Sequence, residues 1–271
     1  MITAMYEGTY SAGPDKSFVP VDPEKPADNG ALKLAIQPYL IRDPEFTALI
    51  DAGPGPFGAL DHHSMRLANL RREGLSPDDI EHVFCTHLHI DHIGGLLHNS
   101  YQSLQLSFPN ARIWMSGREW QEVLDKPDRQ TNPELGDWAA FLHEHGNLKF
   151  LEDAHPLPQG IRMQTIGGHT PDHQAVFYEK PGLKAMMLGD VLARPETINR
   201  RFIARFDHDG KKSRELRSKY LQKAYEQNYF VLTYHGLTSA IVSLQEFDPK
   251  KGYELQYITN ETIGSHPGKD S

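Results

Sequence analysis

The stretch of sequence that decides the fold reads His87-Leu88-His89-Ile90-Asp91-His92. Its three histidines and one aspartate offer imidazole nitrogens and a carboxylate oxygen, the ligands that suit zinc and neighbouring metals. A histidine-rich surface turn is the alternative interpretation, but this pattern rarely arises by chance. The stretch therefore predicts a metal site to which one short segment supplies several ligands.

The composition narrows the class of protein. The 271 residues are enough for one large core, so we expect a single domain over residues 1–271, with a flexible tail over residues 260–271. Hydrophobic residues make up 38% and charged residues 24%, as in ordinary globular proteins. The net charge of −8 argues against nucleic acid as a partner, because phosphate binding needs a basic surface.

Sequence features that direct a chain to a membrane or to secretion are not visible. The first seven residues lack the basic and apolar regions of a signal peptide, and no apolar run approaches the length of a membrane span. The single cysteine, Cys85, excludes an internal disulfide bond, and its apolar surroundings predict an inert buried thiol. Together these features predict a cytoplasmic protein without a membrane partner.

Four predicted strands end shortly before a candidate metal ligand. Their apolar patterns lie at residues 83–86, 161–166, 183–188 and 229–233. The candidate ligands that follow them are, in order, His87, His169, Asp190 and His235. Because loops at one edge of a rigid sheet often assemble a site, we expect these side chains to converge. Helical patterns lie between the strands and indicate an α/β or α+β chain.

The motifs around these residues resemble those of the metallo-β-lactamase superfamily. The resemblance covers about residues 30 to 258 and is carried by His87-x-His89-x-Asp91-His92, Gly-Gly-His169-Thr, Leu-Gly-Asp190 and Tyr-His235-Gly. Within the superfamily, Thr86–His89, Phe108–Ala111 and His169–His173 resemble the quorum-quenching lactonases and their methyl-parathion-hydrolase-like relatives. Asp172 departs from this pattern, because that branch often has glycine there.

The resemblance implies an α+β fold, a four-layer αββα sandwich in which two mixed β-sheets are flanked by helices. It also implies two divalent metal ions, Zn²⁺ by default, with Mn²⁺, Co²⁺ and Fe²⁺ as alternatives. One ion would be held by His87, His89 and His169. The other would be held by Asp91, His92 and His235, and Asp190 would bridge both.

The same resemblance assigns further roles. Asp91 and Asp190 are the predicted catalytic residues, Asp91 by moving a proton to the leaving oxygen and Asp190 through its bridging position. Asp51 and His173 are predicted to support the ligands from behind. Phe57, in a loop rich in proline and glycine, and Tyr234, next to His235, are predicted to line the substrate pocket.

These assignments imply a hydrolase in which two metal ions convert a bound water to hydroxide at neutral pH. The predicted substrate is a small lactone or carboxylic ester, with acyl-homoserine lactones as one candidate. A phosphotriester or phosphodiester hydrolase with the same site is the alternative, and a metal-free ligand-binding protein of the same fold is the non-enzyme alternative. A homodimer is a further expectation, since dimers are common among such relatives.

Histidines outside these motifs have a simpler interpretation. His62 and His63 lie on a helical pattern without nearby ligand partners, and we expect solvent-facing or capping roles for both.

Overall fold

The computed structural model of the chain describes residues 1–13, 18–26, 31–100, 103–126, 133–237, 239–259 and 261–264. The chain divides into two compact units. Met5–Pro156 forms the N-terminal unit, and Leu157–Ser271 together with Met1–Ala4 forms the C-terminal unit. Each unit has its own buried apolar cluster. The single domain over residues 1–271 stays a prediction.

Strands and helices mix along both units. In chain order the strands are β1 (Ile2–Ala4), β2 (Thr9–Ala12), β3 (Phe18–Pro20), β4 (Leu32–Ala35), β5 (Tyr39–Arg42), β6 (Thr47–Ile50), β7 (His82–Phe84), β8 (Leu97–Ser100), β9 (Ser103–Leu106), β10 (Arg112–Met115), β11 (Leu148–Phe150), β12 (Ile161–Thr165), β13 (Gln174–Lys180), β14 (Leu183–Met187), β15 (Phe230–Leu232), β16 (Ile241–Asp248), β17 (Gly252–Tyr257) and β18 (Thr262–Ile263). The helices are α1 (His62–Arg72), α2 (Ile90–Ile93), α3 (Gly117–Asp125), α4 (Pro133–His145) and α5 (Gly210–Gln227).

In the main sheet of the N-terminal unit, strands follow the order β11-β10-β7-β6-β5. β5 and β6 are antiparallel, whereas β6, β7, β10 and β11 run parallel to one another. The carboxyl ends of β6 and β7 therefore meet at one edge, which brings the residues after Ile50 next to those after Phe84. A three-stranded sheet (β3-β2-β4) and the β8–β9 hairpin complete the strands of this unit.

Two helices of the N-terminal unit begin at side chains that satisfy their first amides. Asp61 accepts a hydrogen bond from the Ser64 amide (3.0 Å) at the start of α1, and Ser116 accepts one from the Glu119 amide (3.3 Å) at the start of α3. Leu70 of α1, Trp120 of α3 and Trp138 of α4 then enter one buried apolar cluster. Burial of these large side chains fixes the helices against the rest of the unit.

In the sheet of the C-terminal unit, strands follow the order β12-β13-β14-β15-β16-β17. β12 and β14 are both antiparallel to β13, and β14 is parallel to β15. The carboxyl ends of β12, β14 and β15 therefore lie at the same edge of the sheet. Helix α5 begins after Asp209, whose carboxylate accepts the Lys212 amide (2.9 Å), and its buried Tyr220 and Leu221 join the apolar cluster of this unit.

Strand β16 is an element that the sequence analysis did not predict. Ile241 and Val242 are both fully buried, so its first half lacks the alternation that marks a half-buried strand. Its second half is exposed, and the pairing with β17 shifts between Leu244 and Phe247. Such a strand shows neither alternation of apolar and polar residues nor a continuous apolar run along its whole length.

The end of the chain corrects one prediction. Thr262–Ile263 forms β18, which pairs with β1 through Thr3 and Ile2, so the flexible tail expected from residue 260 is wrong at these two residues. The reason is that the pairing partner comes from the other end of the chain, where local sequence gives no sign of it. Residues 260 and 265–271 lie outside the described part. Among the described residues, no helix is both long and apolar enough to cross a membrane.

Candidate metal centre

Asp51 lies directly after β6 and anchors the histidine-rich stretch. Its φ of 58° is in the left-handed region, which aspartate tolerates better than most residues. One carboxylate oxygen accepts the Thr86 amide (Oδ1, 2.7 Å), and the other accepts the Thr86 hydroxyl (Oδ2, 2.8 Å). These bonds fix the residue that immediately precedes His87.

The imidazole of His92 is oriented by the same carboxylate. His92 Nδ1 lies 2.8 Å from Asp51 Oδ2, and both side chains are fully buried. Because an ionised carboxylate only accepts, Nδ1 carries the proton and the lone pair of Nε2 is left for another partner. On its far side, His92 Nε2 lies 3.6 Å from Asp91 Oδ2.

The ring of His87 is held in the same tautomer by a hydroxyl group. Thr86 Oγ1 gives its hydrogen to Asp51, so it accepts from His87 Nδ1 at 3.1 Å. His87 Nε2 therefore carries no proton and faces His89 Nδ1 at 3.1 Å. Thr86 thus links Asp51 to a second histidine and fixes the orientation of its ring.

A buried ionic network supports the histidine-rich stretch from the side of α1. Arg66 makes two hydrogen bonds to the Glu7 carboxylate (3.1 and 3.3 Å), and its remaining donors reach the carbonyl oxygens of Ala52 and Gly95. Ala52 follows Asp51, and Gly95 follows the turn that carries His92. Arg66 therefore holds together the two backbone segments on which the contact between Asp51 and His92 depends.

The same network overturns the prediction for His62. Its side chain is buried and not solvent-facing: Nδ1 lies 3.2 Å from Glu7 Oε2, and Nε2 contacts the Tyr10 hydroxyl. These partners lie more than fifty residues earlier in the chain, so the local helical pattern does not reveal them. His63 is half-buried and stacks on His98, with ring centroids 4.1 Å apart.

The C-terminal unit supplies His169, Asp190 and His235. They follow β12, β14 and β15, whose carboxyl ends lie at one edge of the sheet. Gly168 has a φ of 101°, and an added Cβ would come within 2.7 Å of Ser213 Oγ, so the loop before His169 needs glycine. The convergence of these strand ends is therefore a property of the topology.

Within this unit, Asp190 lies between the two histidines. Its Oδ2 is 3.5 Å from His169 Nε2, and its Oδ1 is 3.2 Å from His235 Nε2. Each carboxylate oxygen thus faces a different imidazole nitrogen. A carboxylate that directs one oxygen to each side has the donor geometry of a group able to bind two cations at once.

Asp207 is a residue of this centre that the sequence analysis missed. Its Oδ1 lies 2.9 Å from His169 Nδ1, and its side chain is fully buried. No motif marks it, because it lies in an irregular segment 38 residues after the histidine that it contacts. The acidic and histidine residues at 207–209 are the only local sign of it.

The remaining predicted site residues have clear positions. His173 is buried, with Nε2 2.9 Å from the carbonyl oxygen of Leu188, two residues before Asp190. Phe57 is half-buried and packs edge to face on Trp138, with centroids 6.0 Å apart. Tyr234 is fully buried beside His235. The substrate-pocket role of Phe57 and Tyr234 stays a prediction.

Cys85 has the character that its apolar surroundings predict. It is a free, buried thiol, and burial raises its pKa well above the ordinary value, with the nearby Asp51 carboxylate adding to the effect. A thiol of this kind remains protonated at neutral pH and is a poor nucleophile.

The donor atoms of both units fit divalent metal ions. All seven predicted ligands belong to groups of histidine and aspartate side chains that could hold a metal ion. For His87, His92 and His169, a hydrogen bond at Nδ1 leaves the Nε2 lone pair for a metal, as in many metalloproteins. These features indicate that the chain binds divalent metal, and nitrogen and oxygen donors suit several such ions.

Comparisons with known proteins agree with this chemistry. A sequence profile of the metallo-β-lactamase superfamily matches residues 33–227. The N-acyl homoserine lactonase AiiA of Bacillus thuringiensis subsp. kurstaki is 26% identical over 167 residues, which make up 55% of this chain and 60% of that protein. The match thus spans about 60% of the length of these curated relatives.

Solved structures show the same fold over nearly the whole chain. AidC, a dizinc quorum-quenching lactonase in complex with a homoserine product, superposes with a TM-score of 0.74 at 21% identity, over 95% of this chain and 94% of that one. At this identity the likeness shows the fold alone. A probable metal-dependent hydrolase from Staphylococcus aureus superposes with a TM-score of 0.73 at 25% identity, over 97% of this chain and 98% of that one.

These likenesses confirm the predicted fold class, α+β with mixed sheets and helices. Because the family profile covers more than half of its residues, the chain belongs to the metallo-β-lactamase superfamily.

Proposed function

We propose that this protein is a metal-dependent hydrolase of lactones or carboxylic esters, with N-acyl homoserine lactones as the first substrates to test. The observation that carries the proposal is the position of Asp190, with one carboxylate oxygen toward His169 and the other toward His235. Such a carboxylate suits a centre of two ions, and a centre of this kind can activate a water for the hydrolysis of an ester.

In this proposal the seven side chains divide between two divalent ions. The first ion would be held by His87, His89 and His169. The second would be held by Asp91, His92 and His235. Asp190 would contribute to both sets. Support comes from the tautomers of His87, His92 and His169, each of which leaves Nε2 to bind a metal.

Zn²⁺ is the proposed metal, since imidazole and carboxylate are ordinary zinc ligands, and Mn²⁺, Co²⁺ or Fe²⁺ would be accepted by the same atoms. When bound, two such ions lower the pKa of a shared water and polarise the carbonyl oxygen of the substrate. Every other step falls to the protein itself.

The side chains of this chain then have separate tasks. Asp51, Thr86 and Asp207 keep three imidazoles in one tautomer, so that no ring has to turn or exchange a proton during turnover. Asp91 takes the proton that the attacking water loses and gives it to the leaving alkoxide. The acyl carbon–oxygen bond breaks as the new bond to the water oxygen forms, and a lactone opens to one hydroxy acid. The 13% exposure of the Asp91 side chain is compatible with access to substrate.

The lactone class is favoured over phosphate esters by the curated relatives, several of which are N-acyl homoserine lactonases. We also propose that the protein acts in the cytoplasm, on a small-molecule substrate and as a homodimer. Phosphotriesters and phosphodiesters remain the competing substrates of an identical site, and turnover measurements separate the two.

The test is a substrate panel with metal analysis. Zinc-loaded protein is given N-acyl homoserine lactones of several chain lengths, simple lactones, aryl carboxylic esters and aryl phosphate esters, with and without a chelator. We expect kcat/KM to be highest on a lactone or carboxylic ester, to disappear with chelation and to return with Zn²⁺.

Other outcomes reject parts of the proposal. Faster turnover of an aryl phosphate than of any carboxylic ester would replace the substrate class. No chelator-sensitive turnover of any lactone or ester would overturn the lactone assignment. Metal content near zero, even after Zn²⁺ is added, would support the ligand-binding alternative instead of an enzyme.

A further inference from the structure

We infer that Asp207 is a positioning residue, whose carboxylate fixes the tautomer and orientation of the metal ligand His169. The inference rests on the proposed function, because it concerns one ligand of the proposed metal centre. It names a residue outside the motifs by which that centre is recognised.

Both nitrogens of His169 are directed. Nδ1 lies 2.9 Å from Asp207 Oδ1, and Nε2 lies 3.5 Å from Asp190 Oδ2. With the Nδ1 proton donated to Asp207, the lone pair of Nε2 points toward the carboxylate that we propose as the bridge. A histidine needed only for packing would be served equally well by either tautomer.

The backbone around Asp207 follows the His169 loop. The amide of His208 donates to the carbonyl oxygen of His169 (3.0 Å), and the amide of Asp209 donates to that of Gly168 (2.8 Å). Two consecutive bonds of this kind set the position of Asp207 relative to the imidazole. The carboxylate is therefore held at its distance by backbone structure and does not depend on a flexible side chain alone.

The helix that follows ties this segment to the turn that carries Asp190. Arg217 of α5 donates to the carbonyl oxygen of Val191, next to Asp190, at 3.1 Å, and also to that of Phe202. Burial lowers the pKa of Arg217, while the Asp207 carboxylate acts in the opposite direction. One helix thus holds the loop of Asp207 and the turn of Asp190 in a common frame.

The second oxygen of Asp207 distinguishes a functional role from a structural one. Within the described part of the chain, Oδ2 is buried and has no hydrogen-bond partner. A buried carboxylate with one oxygen lacking a hydrogen-bond partner contributes less to folding than a fully paired one, so stability alone is a weak reason to keep aspartate here. Orientation of a metal ligand gives a stronger reason.

The experiment compares Asp207→Ala, Asp207→Asn and Asp209→Asn. Asp209→Asn is the matched control, because asparagine also caps a helix and the side chain at 209 bonds the Lys212 amide and not His169. Zinc affinity is measured by competition with a chromophoric chelator, without substrate. The visible spectrum of the Co²⁺-loaded protein and the thermal unfolding of the metal-free protein are recorded in parallel.

We expect Asp207→Ala to weaken the affinity of one zinc ion about 10- to 100-fold and to alter the Co²⁺ spectrum. Asp207→Asn should lie between, because an amide oxygen still accepts from Nδ1 but carries no charge. Asp209→Asn should match the wild type, and metal-free Asp207→Ala should melt no lower than wild type.

The inference is overturned if Asp207→Ala binds both ions with wild-type affinity and spectrum, or if its zinc loss is matched by Asp209→Asn. It is also overturned if metal-free Asp207→Ala is unfolded while Asp207→Asn keeps wild-type zinc affinity. If the wild type itself binds no metal, the proposed function fails instead, and the two failures are thereby separate.

Discussion

Asp51 in the N-terminal unit and Asp207 in the C-terminal unit each lie within hydrogen-bond distance of Nδ1 of a predicted metal-binding histidine, at 2.8 and 2.9 Å. Their surroundings differ. Asp51 also binds the amide and hydroxyl of Thr86, so both of its oxygens are engaged. Asp207 engages one oxygen, and the other is buried without a hydrogen-bond partner in the described part of the chain. The Asp51 carboxylate is thus paired at both oxygens, whereas the Asp207 carboxylate is paired at one.

The difference suggests that two Asp–His hydrogen bonds of similar length can make different contributions to the free energy of folding. At Asp51, the carboxylate joins the ends of two adjacent parallel strands, and the buried Arg66–Glu7 pair holds the segments around it. At Asp207, the carboxylate comes from an irregular segment, which is supported by the backbone bonds of residues 207, 208 and 209 and by the bond from Arg217 to the carbonyl oxygen of Phe202. Folding and metal binding should therefore respond differently to changes at the two sites.

The largest expected effect concerns the residue toward which His169 and His235 both point. Asp190→Ala should lower kcat/KM on the best substrate by on the order of a thousandfold, because it removes a ligand shared by two proposed ions. His173→Ala should cost on the order of tenfold, since His173 acts on that turn indirectly, through the carbonyl oxygen of Leu188. Both variants are assayed with saturating Zn²⁺, and metal content is measured alongside.

Similar and mild losses in these two variants would mean that Asp190 does not bridge. The two Asp–His pairs could then not be compared as supports of metal ligands, because His169 would no longer share a carboxylate with a second ligand.

The next effect separates the pairs directly in the metal-free protein. Asp51→Ala should lower the free energy of unfolding by roughly 3–5 kcal/mol, because it leaves the Thr86 amide and His92 buried without their acceptor. Asp207→Ala should change it by less than about 1 kcal/mol, since the lost hydrogen bond is offset by removal of an unsatisfied buried oxygen. Urea unfolding followed by fluorescence gives both values.

Equal losses in the two variants would show that the unsatisfied oxygen of Asp207 is not a real difference. A stability gain in Asp207→Ala would sharpen the contrast further, because it would mean that this aspartate is retained against folding.

Metal removal tests the Asp207–His169 pair through its effect on zinc binding. At zinc concentrations of about 100 times Kd, each bound ion should stabilise the wild type by about 2.7 kcal/mol, and a chelator should remove that increment. In Asp207→Ala, a tenfold weaker site should reduce the increment by up to about 1.4 kcal/mol at the same zinc concentration. Thermal unfolding with and without chelator measures the increment in each protein.

In that experiment Asp209→Asn is again the control and should keep the full increment. An increment of the same size in Asp207→Ala would place Asp207 outside the metal centre, whatever its distance from His169.

The contrast also explains how much the sequence can predict. Asp51 is predictable through the resemblance to the metallo-β-lactamase superfamily, and several contacts of the six-residue stretch that follows β7 are local. Asp207 escapes prediction because no periodic pattern or motif surrounds it. The prediction for His62 is wrong for a related reason: its partners, Glu7 and Tyr10, come from a distant part of the chain, so its buried position depends on tertiary contacts.

The same limit applies to strands. Strand β14 follows the apolar pattern predicted at residues 183–188, whereas β18 depends on pairing with β1 at the other end of the chain. Residues whose role is set by neighbours in sequence are therefore predictable, and residues whose role is set by a distant partner are not. Candidate ligands belong to the first group because each follows a strand end.

The smallest expected effect concerns Glu179. It tests whether burial, and not charge alone, makes the Asp51 carboxylate important to folding. Glu179 on β13 accepts hydrogen bonds from Arg162 and Tyr229, yet about a third of its side chain is exposed. Burial raises its pKa, but the bonds from Tyr229 and Arg162 outweigh burial and hold the pKa below the ordinary value. Its contribution to stability is therefore present above the unfolded-state pKa and is lost as pH falls through the lower folded-state pKa.

Glu179→Gln should accordingly reduce the free energy of unfolding by less than about 1 kcal/mol at pH 7, and the difference from wild type should shrink as the pH falls below about 4. Urea unfolding at pH values of about 7, 5 and 3.5 follows this trend. A larger loss, or one that persists in acid, would mean that a partly exposed carboxylate is as important to folding as the buried Asp51. In that case burial would not explain why Asp51 is expected to matter more to folding than a partly exposed carboxylate.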